Sequence, residues 1–488
     1  MSTNIRALLS QVSEQYPNRL AISDGASQIT FAQLDEKVTA LTGSFRSQGV
    51  KCGTTVLFLC LPGVDFYSAM LAVFALGARV ELIDPGFSRG QILSCLRQVK
   101  PDFVVGLPAF FNLFRGLGVR FLTLRRSSLE GLPEKGSPTI ELTGDEEALV
   151  TFTSGTTGSP RMIVRSQSLL VKQHEVLTRC LDLEASRTVL TTLPVFVLSN
   201  LAAGLSSVLV KRGRKHIKQA LDLLLTHHCD RIIAAPDFLD ALRDEARQRG
   251  LVLSFVRSIN VGGGPVFPRA VEKWRKVFAE ASILAVYGGS EAEPICTLNM
   301  DRQTIAESIK VSANGGGLPA GLPEVCRVAI CPTEMFSTRQ EFSEEEFKAG
   351  CLKPFERGEV LVTGEHVVKG GSADKVRVGD TVYHRTGDAG YLSEDGGLYL
   401  VGRARYGGEK FPLEVEAMVR AFSQVKHCAY LPSENILFVD QNLPGLLRER
   451  LELANVEVRR IKSIPVDRRH GSKVVYSELE NLVAGLRV

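Results

Sequence analysis

The sequence has no paired-cysteine motif: its ten cysteines lie scattered from Cys52 to Cys428, with no CxxC and no framework spacing. That excludes a small disulfide scaffold and points to reduced, mostly buried thiols in a cytoplasmic protein. The opening MSTNIRALLSQVSEQYPNR lacks the apolar core of a secretion signal. Long hydrophobic runs are missing too. FYSAMLAVFALGA (66–78) is too short to span a bilayer, and PVFVLSNLAAGLSSVLV (194–210) carries Asn200 and three serines, so both are expected to be buried elements. Charge of one sign is also scarce. With 58 basic and 54 acidic residues the net charge is +4, which gives no reason to expect a nucleic-acid partner. KRGRKH (211–216) reads as a solvated cluster, and THHC (226–229) as a polar helix end without further ligands at zinc spacing. No repeat and no low-complexity tract interrupts the chain.

Strand-like apolar runs alternate with amphipathic helical ones over the first ~400 residues, the pattern of α/β layering. TTVLFLCLP (54–62) reads as a buried strand, followed by a helix over about 64–76 and a strand in ARVELIDP (78–85). The helix-then-strand order recurs in 92–106 and 217–236, and EEALVTFTSG (146–155) is a strand running into a loop. RSINVGGGP and SILAVYGGSE are strands that end in glycine turns. Ligands of open α/β sheets sit at such strand ends, so the glycines near 155, 262 and 288 suggest a shared site. From about 315 to 403, short alternating segments broken by Asp-Gly turns indicate a small β-rich subdomain. ARYGGEKFP, after Arg403, reads as a hinge before a small C-terminal domain, 404–488. The large domain is then 1–403.

Thr151 to Gly158 packs five hydroxyl residues and two glycines into eight positions, and Arg161 follows. Hydroxyls and glycine N–H groups cradle phosphate oxygens, and an arginine adds fixed positive charge. The stretch nevertheless lacks the GK[ST] ending of the Walker loop, so a Walker-type phosphate switch is not expected.

TSGTTGSPR, VYGGSE (286–291), RTGD (385–388) and GR (402–403), in this order and at these distances, resemble the ANL superfamily of adenylate-forming enzymes. The resemblance runs from ITFAQLDEKVTALTGSFRSQGVKCGTTV (29–56) to a lysine near the C-terminus. It implies a large domain of layered α/β subdomains and a small mobile α+β C-terminal domain. It also implies carboxylate activation by ATP and Mg²⁺, giving an acyl-adenylate and pyrophosphate. Thr153, Ser154, Gly155, Thr156, Thr157 and Gly158 would grip the β- and γ-phosphates, with Arg161 where the family commonly has lysine. Tyr287 would stack on adenine, beside Gly263, Gly264, Gly288 and Gly289. Ser290 would lie near phosphate, and Glu291 would help to hold Mg²⁺. Asp388 would accept from the ribose hydroxyls, with Arg403 adding ribose or phosphate contacts. Lys473, in IPVDRRHGSKVVYSEL, would bridge the attacking carboxylate and the α-phosphate. Lys473, Thr153 and Glu291 are the expected catalytic residues. Phe196, Val197, Asn200, Gly262, Gly263 and Gly288 would wall the acyl pocket.

The sequence also departs from the family's commoner pattern. Lys473 lies eight residues after Pro465 rather than six, in a VDxRHxxK arrangement that looks like the branch containing olefin β-lactone synthetases. LPVFVLSNLAAG and YGGSEAEPI resemble that branch as well. The histidines that most CoA ligases carry near Val197 and Gln167 are missing, and the stretch after the GR motif is short. The first expectation is therefore adenylation of a hydrophobic carboxylic acid and transfer to CoA or a carrier-protein thiol. The alternative is closure of a 3-hydroxy acid to a β-lactone through its adenylate. A third reading, of another class, is an inactive binding protein on the same fold.

Overall fold

A computed structural model describes residues 4–84, 87–106, 119–122, 142–153, 160–211, 213–370, 374–422, 425, 427–467 and 472–486. The chain divides into two compact units. The first comprises Met1–Arg212, Gln219–Ile233 and Gly370–Ala373; the second comprises Gly213–Lys218, Ala234–Lys369 and Asp374–Val488.

The first unit opens with α1 (Ile5–Gln15), β1 (Leu20–Ser23), β2 (Gln28–Thr30) and α2 (Phe31–Ser47). Thr30 and Gln33 close a capping box at the start of α2, so the strand stops where the helix's first N–H groups find partners. Then come β3 (Thr55–Leu59), α3 (Val64–Ala75), β4 (Arg79–Leu82), α4 (Arg89–Val99), β5 (Phe103–Gly106) and β6 (Arg120–Leu122). The antiparallel pair β7 (Glu147–Thr153) and β8 (Arg161–Ser166) leads into α5 (Gln167–Leu181). After it lie β9 (Thr188–Thr191), α6 (Pro194–Ala202), β10 (Ser206–Leu209), α7 (Ile217–Thr226) and β11 (Arg231–Ala234). One sheet runs β6-β5-β3-β4-β7-β8 and is parallel up to the final pair. In the other, β11, β9, β10 and β1 are parallel neighbours and β2 closes the edge. Leu34, Val38 and Phe45 of α2 and Met70, Val73 and Phe74 of α3 join Ile22 and Val56 of the two sheets in one core. The two apolar windows therefore become buried elements, the second as helix then strand.

The second unit contains α8 (Pro236–Gln248), β12 (Ser258–Gly262), α9 (Pro268–Trp274), β13 (Ser282–Gly289), β14 (Ala292–Asn299) and α10 (Arg302–Ala313). Its β-rich part has β15 (Leu318–Gly321), β16 (Arg327–Cys331), β17 (Glu341–Phe342), α11 (Glu344–Gly350), β18 (Gly358–Thr363), β19 (Lys375–Val378), β20 (Thr381–Leu392) and β21 (Leu398–Arg403). These seven strands form one sheet with the path β15-β21-β20-β18-β16. Beyond Arg403 come α12 (Pro412–Phe422), β22 (Cys428–Leu431), β23 (Ile436–Val439), α13 (Gly445–Leu453), β24 (Glu457–Arg460) and α14 (Tyr476–Leu486). The last three strands make their own sheet. The expected α/β layering, β-rich segment and α+β C-terminal region are all present. No described helix is long and apolar enough to cross a membrane.

Candidate active site

β12 and β13 run parallel, with Gly262 opposite Val286, so two of the three glycine-bearing strand ends lie side by side. A Cβ on Gly262 would stand 2.6 Å from the Val286 carbonyl oxygen, which leaves no room for any larger residue. Gly263 has φ +78, the left-handed backbone that favours glycine. One residue on, a Cβ at Gly264 would come within 2.5 Å of the Ser472 Cβ. The C-terminal lysine segment therefore packs directly on this glycine run.

That segment has its own supports. Val466 bridges to Val474, Asp467 N donates to the Lys473 carbonyl at 2.8 Å, and Lys473 N donates to Asp467 Oδ1 at 3.0 Å. Lys473 is exposed. Three residues further, Tyr476 Oη donates to Glu416 Oε1 at 2.6 Å, an oxygen that also accepts from Tyr430 N at 3.0 Å. Burial pushes the Glu416 carboxyl up to about 7, against the lowering effect of the Tyr476 and Tyr430 bonds.

Tyr287, one residue beyond Val286, donates from Oη to Asp388 Oδ2 at 2.9 Å. Asp388 on β20 stands directly opposite Arg403 on β21, and Arg403 Nη1 donates to Asp388 Oδ1 at 2.6 Å. The Asp388 N–H donates to Thr386 Oγ1 at 3.0 Å, which fixes the turn that carries the carboxylate. Burial and the Asp388 charge raise the Tyr287 phenol well above its ordinary range, so it stays a donor. Arg385, from the same RTGD motif, instead pairs with Glu359 at 2.6 Å and serves the sheet.

Glu291 follows the β13 turn, with Oε2 3.7 Å from a Cβ built on Gly289. Its carbonyl accepts from Val368 N at 2.8 Å, and the Val368 carbonyl accepts from Lys375 Nζ. Burial pulls the Lys375 amine down to about 8, with Glu291 acting in the opposite direction. Among the described residues no cluster of three His, Cys, Asp or Glu could hold a metal. A single half-buried carboxylate fits Mg²⁺ all the same, since this ion keeps waters and takes its other ligands from phosphates.

In the first unit, Thr153 and Arg161 pair at the end of the antiparallel strands β7 and β8. Arg165 Nη1 donates to Thr151 Oγ1 at 2.9 Å and braces the strand below. Ser154 to Gly158 lie outside the described residues. On α6, Phe196, Val197 and Asn200 are all buried, Val197 within the main apolar core. Asn200 Nδ2 donates to Ser207 Oγ at 3.2 Å. Gln167 is buried at the start of α5 and donates to the Phe74 carbonyl at 3.2 Å.

Residues 9–370 match the AMP-binding enzyme family. The chain belongs to that family. This AMP-binding enzyme is 27% identical over 469 residues, 86% of its own length and 83% of the relative's, to the olefin β-lactone synthetase of Stenotrophomonas maltophilia. The olefin β-lactone synthetase of Xanthomonas campestris is 24% identical, over 99% of this chain and 98% of that one. In fold it resembles the o-succinylbenzoate CoA synthetase of Bacillus subtilis, solved with its acyl-adenylate intermediate. That likeness has a TM-score of 0.75 over 97% of each chain, at 20% identity. The AMP-binding enzyme is an adenylate-forming ligase of the ANL superfamily.

Sequence reasoning singled out the stretch that holds Asp467 and Tyr476 without giving either a role, and it missed Lys375 and Glu416. The cue for Glu416 was available: EVEAMVR places glutamates and an arginine in an otherwise apolar helix. Lys375 had no such cue, since its role comes from the turn of Val368.

Proposed function

We propose that this ligase adenylates a hydrophobic 3-hydroxy carboxylic acid and closes it to a β-lactone. In the first step the carboxylate oxygen attacks the α-phosphorus of ATP and pyrophosphate leaves. In the second, the substrate's own β-hydroxyl oxygen attacks the acyl carbon, its proton is released and AMP departs. The acid thus loses one water overall. The observation that carries the adenylation reading is the Lys473 segment seated on Gly264, next to the β13 strand end that leads to Tyr287, Asp388 and Arg403. The lactone reading is supported by the VDxRHxxK run, by Val197 and Gln167 in place of histidines, and by the names of the two relatives.

In this reading the Thr153–Gly158 loop and Arg161 hold the β- and γ-phosphates. Tyr287 and the glycines 263, 264, 288 and 289 receive the adenine, with Ser290 near phosphate. Asp388 and Arg403 take the ribose, and Lys473 stabilises charge as it develops at the α-phosphate. Glu291 holds Mg²⁺, which neutralises the phosphate oxygens when bound. In the second unit the acyl group is received by Gly262, Gly263 and Gly288. The small domain is residues 404–488, and the scattered spacing of the cysteines supports a cytoplasmic enzyme.

The test is incubation with ATP, Mg²⁺ and a panel of fatty, aryl and 3-hydroxy acids, with and without CoA, with products identified by mass. A product one water lighter than a 3-hydroxy acid, formed without thiol, is expected. An acyl-CoA formed only when CoA is present would replace the lactone reading with thiol transfer. Carrier-protein thiolation would be recognised in the same way, with a phosphopantetheinylated carrier in place of CoA.

A further inference from the structure

Glu291 sits at the tip of the β13–β14 hairpin. The strand ladder closes with Gly289 opposite Ala292, so Ser290 and Glu291 form the turn beyond the last pair. The ladder does not hold that tip, and a metal ligand placed there needs support from outside it. Residues 364–368 provide it. Val368 N donates to the Glu291 carbonyl at 2.8 Å, and His366 Nε2 donates to the Pro294 carbonyl at 2.7 Å. Between these two ties, Val367 joins Ala292 and Ile295 in one buried apolar cluster. The segment 291–294 is thus held at both ends by a single short stretch.

That stretch is itself secured from the opposite side. The Val368 carbonyl accepts from Lys375 Nζ, so Val368 spends its N–H on Glu291 and its carbonyl on Lys375. Lys375 stands on β19 opposite His384 of β20, and Arg385 N donates to the Asp374 carbonyl at 2.8 Å. The same strand, β20, carries Asp388. One residue therefore links the hairpin tip that bears Glu291 to the sheet that bears Asp388. Val368 is 3% exposed, so removing the amine would leave a buried carbonyl without this donor.

We propose that Lys375 and His366 are positioning residues for the metal: through the 364–368 stretch they set where the Glu291 carboxylate meets Mg²⁺. The inference deepens the reading above and rests on it, since there Glu291 holds the ion. Both side chains act through the backbone of 291–294 and of Val368.

The test is a metal affinity. The full-length enzyme, in excess over ATP so that the nucleotide is bound, is titrated with Mg²⁺ by calorimetry, and AMP is titrated separately without metal. In Lys375→Met, which keeps the aliphatic stem and removes the donor, the Kd for Mg²⁺ should rise about tenfold. The affinity for AMP, which reads the Asp388 side of the site, should stay nearly unchanged. Lys375→Arg should recover most of the loss. His366→Leu should shift the metal affinity in the same direction, and His366→Gln, which keeps a donor, should shift it less. Added to Glu291→Gln, Lys375→Met should weaken Mg²⁺ binding no further. An unchanged Kd in Lys375→Met, an equal loss of AMP affinity, or a full further loss in the Glu291→Gln background would overturn the proposal. If the variants do not fold, hydrogen exchange of the Val368 amide in the parent decides. Slow exchange is expected there, and exchange as fast as in an unstructured segment would refute the tie. Failure of the functional reading would look different: Glu291→Gln alone would leave the metal affinity intact, or no acid would yield pyrophosphate.

Discussion

Glycine 264 has no side chain because Ser472 already occupies that space. Gly264→Ala should push the Lys473 segment off the strand end. Turnover in adenylation is expected to fall by about a hundredfold, with nucleotide affinity falling much less; unaltered turnover would show that the contact is idle. Glu416 supports the same segment through Tyr476. Its carboxyl is raised from the ordinary 4.5 to about 7, so the folded chain holds this proton more tightly than the unfolded one. The stability it lends is complete below pH ~4.5 and is lost as pH rises towards ~7, on the order of 3 kcal/mol. Glu416→Gln should remove that dependence. Urea unfolding at pH 5 and pH 8 would reveal it as a change of a few kcal/mol in the difference between parent and variant, and an equal difference at both pH values would contradict it.

At the scale of elements, much was readable because local patterns decide it. The strand 54–62 became β3, the helix about 64–76 became α3, and the alternation from 315 to 403 became a single seven-stranded sheet. The motif order also brought Tyr287, Asp388 and Arg403 together, although each comes from a different strand. Invisible in the sequence was the work of Arg385. Arg385 looked like part of a ligand motif, yet its partner Glu359 lies 26 residues away on a neighbouring strand. The β18–β20 pairing can be tested through that ion pair, whose side chains are 19% and 4% exposed. Glu359→Ala leaves a half-buried guanidinium without its carboxylate and should cost about 3 kcal/mol. Chemical denaturation measures this directly, and a loss below about 1 kcal/mol would mean that the pair contributes no more than a surface one.

At the scale of the whole molecule, the chain has no Walker lysine beside its phosphate-type loop, and the lysine proposed to act at the α-phosphate is Lys473, on a segment that packs at Gly264. The family was legible because ordered short motifs encode the chemistry of one nucleotide. The second step was not, because no local pattern says whether a hydroxyl or a thiol reaches the acyl carbon. The most direct measurement is acid-dependent exchange of labelled pyrophosphate into ATP, in the parent enzyme and in Lys473→Ala. The parent should catalyse exchange with at least one hydrophobic 3-hydroxy acid, and the variant should lose it while still binding ATP. No exchange with any acid, or equal exchange in the variant, would contradict the account.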